Sequence, residues 1–267
     1  MSHEASGHAN DRNPALVENG GLATRPLRGE VFLPRPQMEL VSRFPAHRPP
    51  PMFQLGFDGG VRPLRSILCL GAHADDIEIG CGGTLLKLLA QHPGLRVTWI
   101  VLSADAMRAA EARHGAREFL KEAGTRKVIV KRFTDSRFPQ EARRIKAYFE
   151  SIKGLSPDLV LTHYRQDLHQ DHRLVAELTW NTFRSHLILE YEIPKYDGDM
   201  GRPNVYVSLD DSVCNEKVRH IMACHASQRR KQWFTQDTFL ALMRLRGIET
   251  GGASRYAEAF YGWKLVL

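Results

Sequence analysis

The 267-residue chain lacks any apolar run approaching the roughly 20 residues that cross a bilayer as a helix, which predicts no membrane span. Its first residues, MSHEASGHANDRNPALVENGG, contain no apolar h-region, so the expectation is a cytoplasmic protein without a secretory leader. Cysteine is scarce. Cys69, Cys81, Cys214 and Cys224 show no CxxC spacing, which argues against a disulfide framework or zinc ribbon and for buried free thiols. No internal repeat is present, and no patch interleaves aromatic with basic residues in the way that stacks bases. Beyond residue 60 proline is thin as well, because eight of the fourteen prolines fall in residues 1–60.

That first segment, with Pro49-Pro50-Pro51 and little periodicity, reads as an extended or partly disordered arm. It carries six Arg against six Asp or Glu, so the whole net charge of +7 belongs to residues 61–267. Apart from Arg229 to Lys231 the basic residues are scattered, as on a solvated surface. A positive domain also leans toward an anionic substrate, such as a sugar that carries phosphate.

From Arg65 onward apolar runs alternate with helix-like segments. Strands are expected at Ile67–Leu70, Val97–Leu102, Lys127–Lys131 and Asp158–Thr162, with helices at Gly82–Gln91, Ala106–Gly124 (closed by a glycine C-cap) and Gln140–Lys153. Further strand-like pieces lie at Leu187–Glu192 and Asn204–Leu209 and in the final YAEAFYGWKLVL. Helices are expected at His172–Arg184, Asp211–His225 and Asp237–Arg246. Continuous apolar strands between helices imply an α/β fold: a Rossmann-like, mostly parallel sheet flanked by helices, in one catalytic domain spanning 61–267.

Two stretches carry side chains with metal and proton chemistry. His73-Ala74-Asp75-Asp76 follows the first strand, and His163, Asp167, His169, Asp171 and His172 follow the fourth. In open α/β sheets, ligands bind at the carboxyl ends of strands, so neighbouring strands would bring both stretches to one crevice. Burying adjacent Asp75 and Asp76 without a cation would cost several kcal/mol. His and Asp are ligands of a catalytic zinc, which keeps a position open for water.

At these residues the sequence resembles a family. AHADDIEIGCGG is similar to the AHPDD(E) signature, and HQDH to the HPDH signature, of the PIG-L/LmbE-like zinc-dependent N-deacetylases. The resemblance implies removal of acetyl from N-acetylglucosaminyl groups in sugar conjugates, leaving acetate and a free amine. It implies His73, Asp76 and His172 as metal ligands and Asp75 as the general base that activates the attacking water. His169 would stabilise the oxyanion and protonate the leaving amine, with Asp171 orienting its imidazole and raising its imidazolium population. Arg108, in an Arg-x-x-Glu position, and Asp135, in the loop after the third strand, would face sugar hydroxyls. Read without the family, Arg108 is a helix charge paired with Glu111, and Asp135 an Asx-turn residue. Glu258, in YAEAF, reads as structural.

The chain departs from the family pattern in three places. Ala74 stands where proline is usual, which removes no functional atom. The acid after the Asp pair is displaced to Glu78, a candidate partner behind a ligand rather than a ligand itself. Asp167 stands where some relatives carry tyrosine, which leaves Tyr164 as the nearest substitute. Zn²⁺ is expected, with Fe²⁺ able to occupy the same two-His, one-carboxylate set. A small-molecule or oligosaccharide N-acetyl sugar is the expected partner, with no nucleic acid and with a homo-oligomer compatible. Three alternatives stand beside this. One is an amidase for a bulkier acyl or thiol-sugar conjugate at the same site; another is a basic nucleic-acid-binding module with a structural metal. The third, a phosphoesterase, would need two metals, and the ligands suffice for one.

Overall fold

The central strand β1 (Ser66–Gly71) is apolar on both sides and sends successive side chains into two separate cores. Ile67 and Cys69 face one core, Leu68 and Leu70 the other. A computed structural model describes residues 56–57, 63–252 and 254–265; the expected arm, 1–60, lies outside these except for residues 56–57.

Beside β1 run β2 (Arg96–Val101) and β4 (Leu159–His163), both parallel to it, and β3 (Thr125–Val130) and β5 (Leu187–Tyr191) continue the parallel sheet outward. β7 (Tyr256–Gly262) and β6 (Val205–Leu209) are antiparallel additions, giving the order β3-β2-β1-β4-β5-β7-β6. Helices α1 (Asp76–Gln91), α2 (Ala106–Phe119), α5 (Asp211–Cys224) and α6 (Gln236–Glu249) pack on the core around Trp99, Phe119 and Phe260. α3 (Ala142–Ile152) and α4 (Gln170–Thr182) cover the other face, around Phe138, Phe149 and Phe183. The mostly parallel, doubly covered sheet is the expected α/β class. Strand order reverses direction between β1 and β4, and their carboxyl ends open into the crevice typical of such a switch point.

Two helix boundaries differ from expectation. α1 starts at Asp76, six residues before the expected Gly82, because the glycine cluster breaks the helix without ending it. Cys81 leaves helical geometry (φ −144°, ψ 16°), and a buried ion pair fills the gap. Lys217 donates to the Ile79 carbonyl at 2.7 Å, and Glu258 accepts from the N–H groups of Gly83 and Thr84 at 2.8 and 2.6 Å. Lys217 and Glu258 are themselves 2.6 Å apart, so the orphan carbonyl and amides of the break meet opposite charges. Glu258 is thereby structural, as expected. The glycines let neighbours close in: a Cβ on Gly80 would lie 2.2 Å from Tyr191. α2 ends at Phe119, not Gly124, whose backbone instead crosses Gly94 so closely that a Cβ would sit 2.5 Å from it.

Candidate active site at the β1–β4 crevice

The loop leaving β1 is tied down before it reaches its functional side chains. Leu102 and Ser103 donate to the carbonyls of Gly71 and Ala72, and the Ala72 N–H donates to His163 Nε2 at 2.9 Å. The His73 N–H donates to Asp76 Oδ2 at 2.6 Å, which folds the turn back onto the first residue of α1. Asp75 sits at the N-cap of that helix but makes no side-chain cap bond; its buried carboxylate pairs instead with Arg108, Oδ1 lying 2.7 Å from Nη2. On the other side of the crevice, His169 is the N-cap of α4, and Asp171 and His172 fill its first turn.

Three donors from the two strand ends converge. His73 Nδ1 lies 3.5 Å from Asp76 Oδ2 and 3.2 Å from His172 Nε2, and His172 Nε2 lies 3.6 Å from Asp76 Oδ1. Two ligands held ~2.0–2.1 Å from a tetrahedral ion lie about 3.3 Å apart; the two imidazole nitrogens meet that spacing, and Asp76 faces His73 with one oxygen and His172 with the other. The remote nitrogen of each imidazole faces carboxylate. His73 Nε2 is 3.1 Å from Asp135 Oδ1 and 3.2 Å from Asp171 Oδ2, and His172 Nδ1 is 2.9 Å from Asp167 Oδ2. Carboxylates there fix the tautomer that presents a lone pair inward.

His163 offers a rival triangle with Asp76 and His172, and stacks on His172 at 3.9 Å. Its Nε2 lone pair already accepts the Ala72 N–H, and the side chain is fully buried, so His73, partly open to solvent, completes the set better. Two other combinations of donors come within 4.8 Å, His73 with His169 and His172, and His73 with Asp135 and Asp171.

The electrostatics fit the same picture. Burial would raise the Asp76 pKa, but His172, His163 and His73 hold it well below the ordinary carboxylate range. Burial and His163 push His172 down to about 4, leaving it neutral with a lone pair at neutral pH. Burial also lowers His73, yet Asp76, Asp135 and Asp171 more than offset this and hold its pKa well above an ordinary histidine. A cation between the donors would take the place of that proton.

Residues 68–183, which contain both strand ends, match the PIG-L family, described as GlcNAc-PI de-N-acetylase. A relative in Escherichia coli strain K12, the uncharacterized deacetylase YaiS, is 31% identical over 140 residues, covering 49% of this chain and 75% of that protein. The chain belongs to the PIG-L family. Solved structures with the same fold include GalB, the 4-carboxy-2-hydroxymuconate hydratase of Pseudomonas putida KT2440. It has a TM-score of 0.61 at 17% identity, over 76% of this chain and 98% of that one. The N,N'-diacetylchitobiose deacetylase of Pyrococcus horikoshii superposes with a TM-score of 0.57 at 19% identity, over 74% and 84%. At such identities the likeness is one of fold, and a hydratase and a deacetylase share it.

Within this PIG-L chain the remaining expected residues fall differently from the family reading. The Asp171 carboxylate makes no hydrogen bond to His169. It accepts the N–H groups of Ser136 and Phe138 at 2.7 and 3.0 Å and turns to His73, whereas only the Asp171 backbone N–H reaches His169 Nδ1, at 3.3 Å. That bond leaves the His169 proton on Nε2. Burial and His73 lower the His169 pKa, against the opposing pull of Asp171, Asp76 and Asp167. Arg108 Nη2 is 2.7 Å from Asp75 Oδ1 and its Nη1 2.6 Å from Glu111, in a largely buried pair of contacts. Asp135, exposed at its tip, reaches His73. Glu78 stands behind no ligand; it is fully buried against His225 Nε2 at 3.1 Å, and burial raises its pKa. Tyr164 stacks on Tyr261 at 3.7 Å and supplies no substitute at the donors.

Asp167 is the larger surprise. It holds His172, accepts the His169 N–H at 2.7 Å, and is met by Lys195 at 3.0 Å. Lys195 in turn binds Asp199, whose carboxylate accepts the Leu168 N–H at 2.7 Å. Sequence reading missed this clamp. The available signal was Lys195 and Asp199 following β5, a third strand that ends at the same sheet edge.

Proposed function

We propose that the protein is a metal-dependent hydrolase that removes the N-acetyl group from an N-acetylglucosamine-type sugar conjugate, giving acetate and a free amine. The observation that carries this reading is the mutual approach of His73 Nδ1, His172 Nε2 and the Asp76 carboxylate, with the His169 ring 4.9 Å from that of His73. These three residues would hold the cation, Zn²⁺ by the character of the donors, with Fe²⁺ accommodated by the same set. When bound, such an ion polarises an amide carbonyl and acidifies water.

The chain's own groups supply the rest. Arg108 occupies Asp75 Oδ1 and fixes the carboxylate, leaving Oδ2 to take the proton from the attacking water. The water oxygen adds to the acyl carbon, and His169 Nε2–H donates to the oxygen on which charge develops. Asp75 then passes its proton to the nitrogen as the C–N bond breaks, releasing the amine and acetic acid, which gives its remaining proton to water to become acetate, so atoms and charge balance. Asp135 and Asp171 hold His73, and Asp167 with Lys195 holds His172, so neither imidazole needs to reorganise.

A closed structural metal site in a nucleic-acid-binding module would not need an open approach to His73 or a spare base beside it. An amidase for a bulkier acyl group would use the same residues, and a series of acyl lengths separates the two. The test is acetate release from a panel of N-acetylglucosamine conjugates by the zinc-loaded full chain and by His172→Ala, with zinc content measured in parallel. Turnover that follows zinc, and loss of both in His172→Ala, is expected. No acetate from any member of the panel would overturn the reading.

A further inference from the structure

The turn that follows α5 reaches back to the side chain that holds Asp75. α5 ends at Cys224, and a single 3-10 turn, Ala226–Gln228, comes next. Ser227 in that turn binds the Glu111 carboxylate twice: its N–H donates to Oε1 at 2.9 Å and its Oγ to Oε2 at 2.7 Å. Glu111 Oε2 also accepts from Arg108 Nη1 at 2.6 Å, and the other end of the guanidinium, Nη2, lies 2.7 Å from Asp75 Oδ1.

The hydroxyl of Ser227 is fully used. Besides giving its own proton to Glu111, it meets Arg108 Nη1 at 3.3 Å and accepts from Gln228 Nε2 at 2.9 Å, so its one donor and both lone pairs have partners. Burial would raise the Glu111 pKa, but the two Ser227 bonds and Arg108 lower it, which keeps the carboxylate charged at neutral pH. A buried pair stands behind the guanidinium. His225 Nδ1 is 3.4 Å from Arg108 Nη1 and its Nε2 is 3.1 Å from Glu78 Oε1, with both side chains fully buried. Gly115 on α2 leaves room for them: a Cβ there would lie 2.2 Å from Glu78 Oε1.

A guanidinium is a planar fork, so fixing one of its nitrogens sets the direction of the other. Nη1 is met by Glu111, Ser227 and His225, and Nη2 by Asp75. The half of the fork that faces Asp75 is therefore aimed by residues of α2 and of the turn after α5. A misplacement of about 1 Å can cost about 10²-fold in rate, so this aim bears on the chemistry.

We infer that Ser227 is a positioning residue for the proposed general base: it fixes Glu111, Glu111 fixes the Arg108 guanidinium, and the guanidinium fixes the direction of the Asp75 carboxylate. The inference rests on the proposed hydrolase reading and adds to its site a segment far along the chain from either strand end. The His225–Glu78 pair braces the same nitrogen of Arg108.

Two measurements test it with the full chain. The first is the kinetics of acetate release from an N-acetylglucosamine conjugate by the zinc-loaded protein. Ser227→Ala is expected to lower kcat about fivefold, with KM within about twofold and zinc content unchanged, since the base is misplaced and the ligands are not. Added to Arg108→Gln, the same substitution should cost less than about twofold, because Ser227 acts through Arg108. An unchanged kcat in Ser227→Ala, a raised KM alone, or a loss that persists at full size in the Arg108→Gln background would overturn the role. The second measurement needs no turnover. Nitrogen NMR of the isotope-labelled chain follows rotation of the Arg108 guanidinium about Nε–Cζ, its signal being identified by loss in Arg108→Gln. Rotation at least about tenfold faster in Ser227→Ala is expected, as for the loss of one hydrogen bond in a charged cluster. Equal rates overturn the clamp, so it can stand or fall even where no conjugate is hydrolysed and the hydrolase reading fails.

Discussion

Two of the buried charged groups along α1 are built on opposite plans. At the break near Cys81, Lys217 and Glu258 neutralise each other and also satisfy the orphan backbone groups of the helix. A neighbouring cavity of about 20 Å³, roughly one water in size, is lined in part by the same pair and by Arg246, which binds Glu192 at 2.6 Å. Every strong charge there has its partner. At the N-terminal end of the helix, by contrast, His73, Asp76 and His172 turn their donor atoms toward one another, while further carboxylates crowd behind them. The first group pairs its charges within itself; in the second, ligating atoms of His73, Asp76 and His172 lie 3.2–3.6 Å from one another. Burial alone therefore does not mark function, and the distinguishing sign is where the lone pairs point.

The sharpest way to separate the two groups is to remove one charge from each. Asp75→Asn should lower kcat by about 10³-fold, within the range of general-base catalysis, while zinc content stays at the wild-type level. Turnover near wild type would move the base elsewhere. Lys217→Met should leave activity per folded molecule unchanged but cost about 3–5 kcal/mol in urea unfolding, since Glu258 would be left buried and unpaired. A loss below about 1 kcal/mol would mean that water enters the helix break and solvates it.

Smaller effects test the supports. Asp167→Asn should weaken zinc binding about 10–100-fold in competition with a chelator, because His172 would lose the carboxylate behind it. Unchanged affinity would show that Lys195 and Asp199 hold the loop without it. Arg108→Gln should lower kcat about tenfold through a misplaced Asp75, with KM little altered. A raised KM with intact kcat would instead return Arg108 to the sugar, as the family resemblance implied. At the bottom of the scale, Arg255→Ala removes an exposed pair with Asp211 and should change stability by no more than about 0.5 kcal/mol.

Much of the fold is legible in the chain, because parallel strands buried on both faces, such as Leu68 to Leu70 and Val160 to Leu161, read as unbroken apolar runs. The glycine cluster after Asp76 misled because glycine normally punctuates helices. Here α1 continues through it, since side chains from α5 and β7, more than a hundred residues later, fill the break. Residue types at the site were equally legible, whereas pairings were not. Asp171 stands two residues from His169 yet serves His73, because the first turn of α4 aims its carboxylate across the crevice at the Ser136 and Phe138 amides. Asp167, five residues from His172, is the group that holds it.

By itself the sequence determined the chemistry on offer: His and Asp clusters that follow two apolar strands of an α/β chain. Local rules suffice for this, because strand period and apolar continuity are properties of short segments. Only the tertiary structure decided which carboxylate serves which imidazole, that Arg108 belongs to Asp75, and that Lys195 closes the clamp on Asp167. Hydrogen bonds are set by angstroms and by side-chain direction, and those follow from packing between segments far apart in the chain.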